Sequence, residues 1–252
     1  MAKGAKEKTE PGIGPLVRAD GRLPDELREV RAQLDYILTS AGSCLIEMGN
    51  TRVLCTASAE DRVPPHKRNS GEGWVTAEYS MLPGSGTSRV PRERARAGRA
   101  MEIQRLIGRS MRSVVDLSRL GERTIYIDCD VLQADGGTRC AAITGGYLAL
   151  ARAVATLMQT GKMREDPLTG SVAAVSVGLF GGTPILDLDF GEDASADVDM
   201  NIVMTGKGMF VEVQGTAEGS AFRKSELNEL LTLAEKGIAQ LQGIQSRLLS
   251  DA

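Results

Sequence analysis

Three short runs carry side chains that chemistry can use. The first, "ADGGTRCA" (134–141), sets Asp135, Gly136, Gly137, Thr138 and Arg139 between an alternating apolar run and a helical one. A helix N-terminus there presents unpaired backbone N–H groups at the positive end of the helix dipole. Two glycines let an anion approach the backbone. Thr138 adds a hydroxyl donor, and Arg139 adds a fork that fits phosphate or carboxylate. The same residues also suit a capped turn with a solvated arginine, because short glycine-rich strings are unspecific. The Walker pattern GxxxxGK[ST] is absent.

The second run, "RVPRERARAGRAMEIQRLIGRSMR" (89–112), holds eight arginines against two glutamates. Charge runs are ordinarily solvated helix faces. Here acidic partners are too few, and the chain as a whole carries a net charge of -3. A local basic track on an acidic protein is the footprint of a bound phosphate chain. Arg99, near the start of this helical stretch, can also reach a small anion.

The third run, "DLDFGEDASADVDMN" (187–201), holds Asp187, Asp189, Glu192, Asp193, Asp197 and Asp199. Carboxylates this dense repel one another unless a cation or protons intervene, and Mg²⁺ accepts such oxygens. An acidic surface loop is the alternative. The glycine and glutamate positions do not fit an EF-hand. His66, the only histidine, lies in a polar loop and is expected to be exposed, so a histidine-dependent triad is not supported. A phosphate-like pocket, a basic track and a carboxylate cluster together suit phosphoryl transfer on nucleic acid.

The elements that must position these groups follow from periodicity. Residues 43–58 read as two strands about Gly49-Asn50, and 74–82 as a further strand. Pro91 opens a helical pattern with Ile103, Leu106, Ile107, Met111, Val114 and Val115 on one face. Ile125, Ile127, Cys129 and Val131 alternate as a strand within 123–134. Ile143, Tyr147, Ala151, Val154 and Met158 then mark a central helix. A second hairpin turns at Gly181-Gly182, strands follow at 198–205 and 209–216, and a last helix runs from Lys224 to Leu249. Hairpin, strand and helix thus occur twice, at 43–118 and 171–249, with a central strand and helix between them. The reading is an α+β domain, loosely duplicated, spanning 17–252 behind a disordered tail at 1–16.

Bulk properties agree with an ordinary globular chain. A length of 252 residues supports a sizeable core. Aromatics make up only 4%, so aliphatic side chains must fill that core. Cys44, Cys55, Cys129 and Cys140 lack CxxC spacing and lie in apolar runs, as buried reduced thiols do. No signal peptide and no apolar stretch of membrane-spanning length is read, so no membrane partner and a cytoplasmic location are expected.

Longer strings resemble one family. They are "RADGR" (18–22), "GSCLIEMGNTRVLCTAS" (42–58), "GWVTAEYSMLP" (73–83), "EIQRLIGRSMR" (102–112), "IDCDVLQADGGTRCAAITGGY" (127–147), the acidic run, and "FVEVQGTAEGSAF" (210–222). They are similar to the ribonuclease PH family of bacterial phosphate-dependent 3′ exoribonucleases. The resemblance implies a β-α-β-α fold of the ribosomal protein S5 domain 2-like type, shared with polynucleotide phosphorylase and exosome core subunits. It further implies a homohexameric ring, a trimer of dimers, that trims tRNA precursors and other RNA 3′ ends. Inorganic phosphate would be the co-substrate, nucleoside diphosphates the products, and nucleotide addition the reverse reaction. By this likeness phosphate is held by Arg99, Gly137, Thr138 and Arg139. Asp193 and Asp199 serve catalysis and Mg²⁺ binding, and Arg89 and Arg92 engage RNA. The family usually has an arginine directly after "MLP", where this chain has Gly84. Asn201 stands where polynucleotide phosphorylase carries lysine, which favours the shorter enzyme. A non-catalytic, RNA-holding ring subunit of exosome type is the alternative. A simple nucleotide-binding module is a third.

Overall fold

A strand that the sequence does not announce, β1 (Val30–Leu34), edges the first sheet. The computed structural model describes residues 18–92, 98–218 and 221–251. β1 pairs antiparallel with β2 (Gly42–Met48), and β2 with β3 (Thr51–Glu60) across the Gly49-Asn50 turn. β4 (Trp74–Met81) follows a loop that contains a 3₁₀ turn at Pro65–Lys67. Helix α1 (Gly98–Arg112) and the short α2 (Leu117–Leu120) then return the chain to β5 (Thr124–Gln133). β5 enters between β3 and β4, antiparallel to the first and parallel to the second, giving the order β1-β2-β3-β5-β4.

The second sheet has the order β7-β6-β8-β9, all antiparallel. Its strands are β6 (Val172–Phe180), β7 (Thr183–Leu186), β8 (Val198–Thr205) and β9 (Phe210–Ala217). Gly181 and Gly182, both at positive φ, close the β6–β7 hairpin as expected. Helix α3 (Thr138–Gln159) packs on β2, β3 and β5 on one side and on β6 on the other. Helix α5 (Lys224–Ser250) covers β6 and β7. One continuous cluster of buried apolar side chains runs through both sheets and these helices. The four cysteines are buried in it as free thiols.

Some expectations are corrected. The strand at 123–134 does not stand apart from the two repeats: it enters the first sheet as β5, between β3 and β4, and α3 packs on both sheets with α5 beside it. Alternation tells that a segment is a strand, but not which neighbours it takes. The acidic run is not all loop, since it contains α4 (Phe190–Ser195). Met158 is exposed at 38%, facing outward from the last turn of α3. α1 is described from Gly98, so the expected helix opening after Pro91 falls partly outside the described residues, as does the tail at 1–16. Against the expectation of no apolar stretch of membrane-spanning length, α3 is long and apolar enough. Its apolar window is 83% buried between the sheets, which accounts for that composition.

Candidate active site

The glycine turn is shaped for close approach. Gly136 (φ 72) and Gly137 (φ 62) both take the left-handed backbone that favours glycine, and Gly137 is the N-cap of α3. No side chain caps this helix, so its first N–H groups stay available. A Cβ on Gly136 would sit 2.6 Å from the Leu188 carbonyl oxygen, so the turn lies flush against the segment leading into α4.

Thr138 and Arg139 open α3, and each is held from elsewhere. The Tyr79 hydroxyl, at the end of β4, lies 2.8 Å from Thr138 Oγ1. Burial pushes the Tyr79 phenol above its usual pKa, so it stays protonated and can donate. Opposing that rise are the hydrogen bond with Thr138 and then the charges of Arg99 and Arg139. Arg139 Nη1 donates to Gln214 Oε1 at 2.6 Å and lies 3.6 Å from Glu102 Oε1. Gln214 in turn donates to Glu102 at 3.0 Å. Tyr79, Gln214 and Glu102 were not read from the sequence as part of the site. Their role is set by strand register and by packing of α1 beside β9, which no local signal reports.

The six carboxylates of the acidic run divide sharply. Asp187 is fully buried and engaged by Arg28, with hydrogen bonds of 2.7 and 3.0 Å. Asp189 is the N-cap of α4 and forms a capping box with Glu192. Glu192 also takes a bidentate pair from Arg18 at 2.5 and 2.6 Å. Asp197 is exposed. That leaves Asp193, on α4, and Asp199, on β8, facing each other. Burial first, and the Asp193 carboxylate second, push Asp199 up to about 6, while Arg139 pulls the other way. Asp199 Oδ1 is buried without a hydrogen-bond partner among the described residues. The glycine turn, Thr138, Arg139 and the aspartate pair are therefore brought together, with Arg99 exposed at the start of α1.

Two carboxylates with a buried, unpartnered oxygen fit a hard divalent cation, and Mg²⁺ binds through one or two carboxylates plus substrate phosphates. No group of three or more acidic, histidine or cysteine side chains suited to a metal occurs among the described residues.

The arginine run is only partly a track. Arg89, Arg92, Arg99 and Arg105 are exposed. Arg109 pairs with Glu212, while Arg112 lies over the Trp74 ring at 4.4 Å and donates to the Val75 carbonyl. Arg94 and Arg96 fall outside the described residues. The loop after Pro83 is tied to the site, since Ala134 N donates to Ser85 O at 2.8 Å just before the glycine turn. His66 is exposed, edge-on to Trp74, and takes no part.

Family models and solved structures agree on this architecture. The model described as "3′ exoribonuclease family, domain 1" matches residues 26–155, and that for domain 2 matches 170–237. The rice (Oryza sativa) Rrp46 crystal structure is similar with a TM-score of 0.75 at 17% identity, covering 92% of this chain and 100% of that one. An archaeal exosome core is similar with a TM-score of 0.74 at 21% identity, covering 91% of each chain. The Archaeoglobus fulgidus exosome with RNA bound to the active site gives 0.75 at 21%, covering 90% of this chain and 91% of that one. Identities this low speak for the fold alone, which is the α+β fold of the ribonuclease PH type.

Proposed function

The chain belongs to the 3′ exoribonuclease family, and from that premise we propose that it is a phosphate-dependent 3′-to-5′ exoribonuclease. In this reading it is of the bacterial ribonuclease PH kind, trims tRNA precursors and other RNA 3′ ends, and works as a homohexameric ring. The observation that supports it most is the meeting of an uncapped, glycine-led helix N-terminus with Arg139 and a mutually repelling aspartate pair.

Inorganic phosphate and the RNA backbone repel each other, so bringing them together is the first task. Arg99 and Arg139 offset that repulsion, while Thr138 and the backbone N–H groups at 137–139 orient the attacking oxygen. A phosphate oxygen forms a bond to the phosphorus of the last phosphodiester, and the bond to the 3′ oxygen of the preceding nucleotide breaks. The products are a nucleoside diphosphate and an RNA shorter by one residue. The departing 3′ oxygen needs a proton. Asp199, whose carboxyl burial and then Asp193 push up to about 6, can supply it. Alternatively, Asp193 and Asp199 would together hold Mg²⁺, which would supply neutralisation of the charge developing on that oxygen. Arg89 and Arg92, exposed after the "MLP" turn, would steer the RNA backbone.

The similar solved structures are exosome subunits and favour a second reading, a ring subunit that holds RNA without turning it over. One assay separates the two. A 3′-extended tRNA is incubated with Mg²⁺, with and without inorganic phosphate. Release of nucleoside diphosphates only with phosphate supports phosphorolysis. Monophosphates instead refute it, and RNA binding without any release supports the second reading.

A further inference from the structure

The turn "GNT" (49–51) between β2 and β3, and Arg28 ahead of β1, have no part in the chemistry above, yet both press on the glycine turn. Thr51, fully buried, donates its hydroxyl to the Gly136 carbonyl at 2.6 Å and accepts from Asp135 N at 2.9 Å. Asn50 Nδ2 donates to Asp135 Oδ2 at 3.1 Å. Arg28 Nη1 donates to the Asp135 carbonyl at 2.5 Å, while the rest of its guanidinium grips Asp187. Burial works against the Arg28 charge, but hydrogen bonds and charge from Asp187 outweigh it, so the group stays cationic.

Two glycines make room for this arginine. A Cβ on Gly49 would stand 2.6 Å from Arg28 Cδ, and one on Gly137 would stand 2.8 Å from Arg28 Nη2. Arg28 therefore lies between the hairpin turn and the glycine turn, touching both. Through Asp187 it also reaches the segment that enters α4, where Leu188 N donates to Ser176 Oγ at 3.0 Å. The backbone of Asp135–Gly137 is fixed from two sides, by β3 and by the N-terminal segment.

We infer that Arg28, Asn50 and Thr51 are a positioning clamp that sets the Asp135–Gly137 backbone for phosphate and registers it against the aspartate-bearing segment. None of the three is a catalytic residue; each acts through the turn it holds. The inference rests on the phosphate site of the reading above, though not on turnover there. Two successive glycines have many backbone conformations open to them, so this turn holds one only where its carbonyls and N–H groups are tied. A small displacement of oriented N–H donors weakens an anion site steeply.

The test measures phosphate and RNA binding separately on the full chain. Phosphate affinity is read by calorimetry with inorganic phosphate, RNA affinity by anisotropy with a 3′-extended tRNA, and folding by thermal melting. Thr51→Val removes two hydrogen bonds to the turn and is expected to raise the phosphate Kd about tenfold, with RNA Kd changed less than about twofold. Thr51→Ser, which keeps the hydroxyl, is expected to restore phosphate affinity. Arg28→Lys should show the same split. If that variant does not fold, Thr51→Val decides alone. A phosphate Kd within about twofold of wild type in folded Thr51→Val overturns the clamp, as does an equal loss of phosphate and RNA affinity. A wild type that binds phosphate but releases no diphosphate refutes phosphorolysis while the clamp is still judged by the same split. A wild type that binds no phosphate overturns the clamp.

Discussion

Replacing Asp199 with asparagine separates the cost of the aspartate pair from its use. In the folded chain the Asp199 carboxyl rises from 3.8 to about 6, driven by burial and then by Asp193. One pH unit of difference is worth about 1.4 kcal/mol, so the full shift caps the effect at about 3 kcal/mol. The side chain keeps some contact with solvent, which screens the repulsion and brings the expected figure to about 1–2 kcal/mol. The sign follows from the direction. A folded pKa above the unfolded one means the native state binds the proton more tightly, so stability is greatest below about pH 4. It falls as pH rises through about 6. A carboxamide at this position cannot ionise, so Asp199→Asn should match wild type near pH 4 and exceed it above pH 7. For a chain of this size that gap is about 3–6 °C in Tm. Thermal melting across pH 4–8 in EDTA reads it directly, and the same variant should lose phosphorolysis. Adding Mg²⁺ should close the gap by stabilising wild type alone. A Tm difference that does not change with pH, or a less stable variant at pH 8, refutes the electrostatic reasoning.

Other outcomes follow from single contacts. Arg139→Ala should abolish phosphorolysis while RNA binding, read by anisotropy, largely survives; equal loss of both counts against a phosphate-specific role. Tyr79→Phe leaves the Thr138 hydroxyl without its partner. It should raise the KM for phosphate about fivefold to tenfold in a phosphate titration, with little change in melting. Glu192→Ala strands the buried Arg18 guanidinium and removes the α4 capping box. It should cost about 3–5 kcal/mol in urea unfolding.

How much was legible in the sequence depended on where the partner of each group lies. The hairpins, the central helix and the "DGGTR" glycine turn at its N-terminus follow from local chemistry, because glycine placement and periodicity are read within a few residues. The acidic run looked like one cluster because little in its neighbourhood distinguishes its members. Its sorting depends on Arg18 and Arg28, which are 174 and 159 residues away from the carboxylates they neutralise. One local clue was available: Asp189 and Glu192 have the spacing of a capping box, which announces α4 and removes both from the pool of free carboxylates.

The same division explains why Asp199 stands out. Most charges around the site are matched by a partner built into the fold: Arg18 by Glu192, Arg28 by Asp187, and Arg139 by the Gln214–Glu102 pair. Asp199 has a buried oxygen with no hydrogen-bond partner among the described residues, and its nearest carboxylate repels it. Folding energetics alone would favour an asparagine there. An acidic run that pairs Asp187 and Glu192 with arginines yet leaves Asp199 opposed by Asp193 keeps a place for a proton or a cation. The pH-dependent gap in Asp199→Asn measures the strength of that opposition.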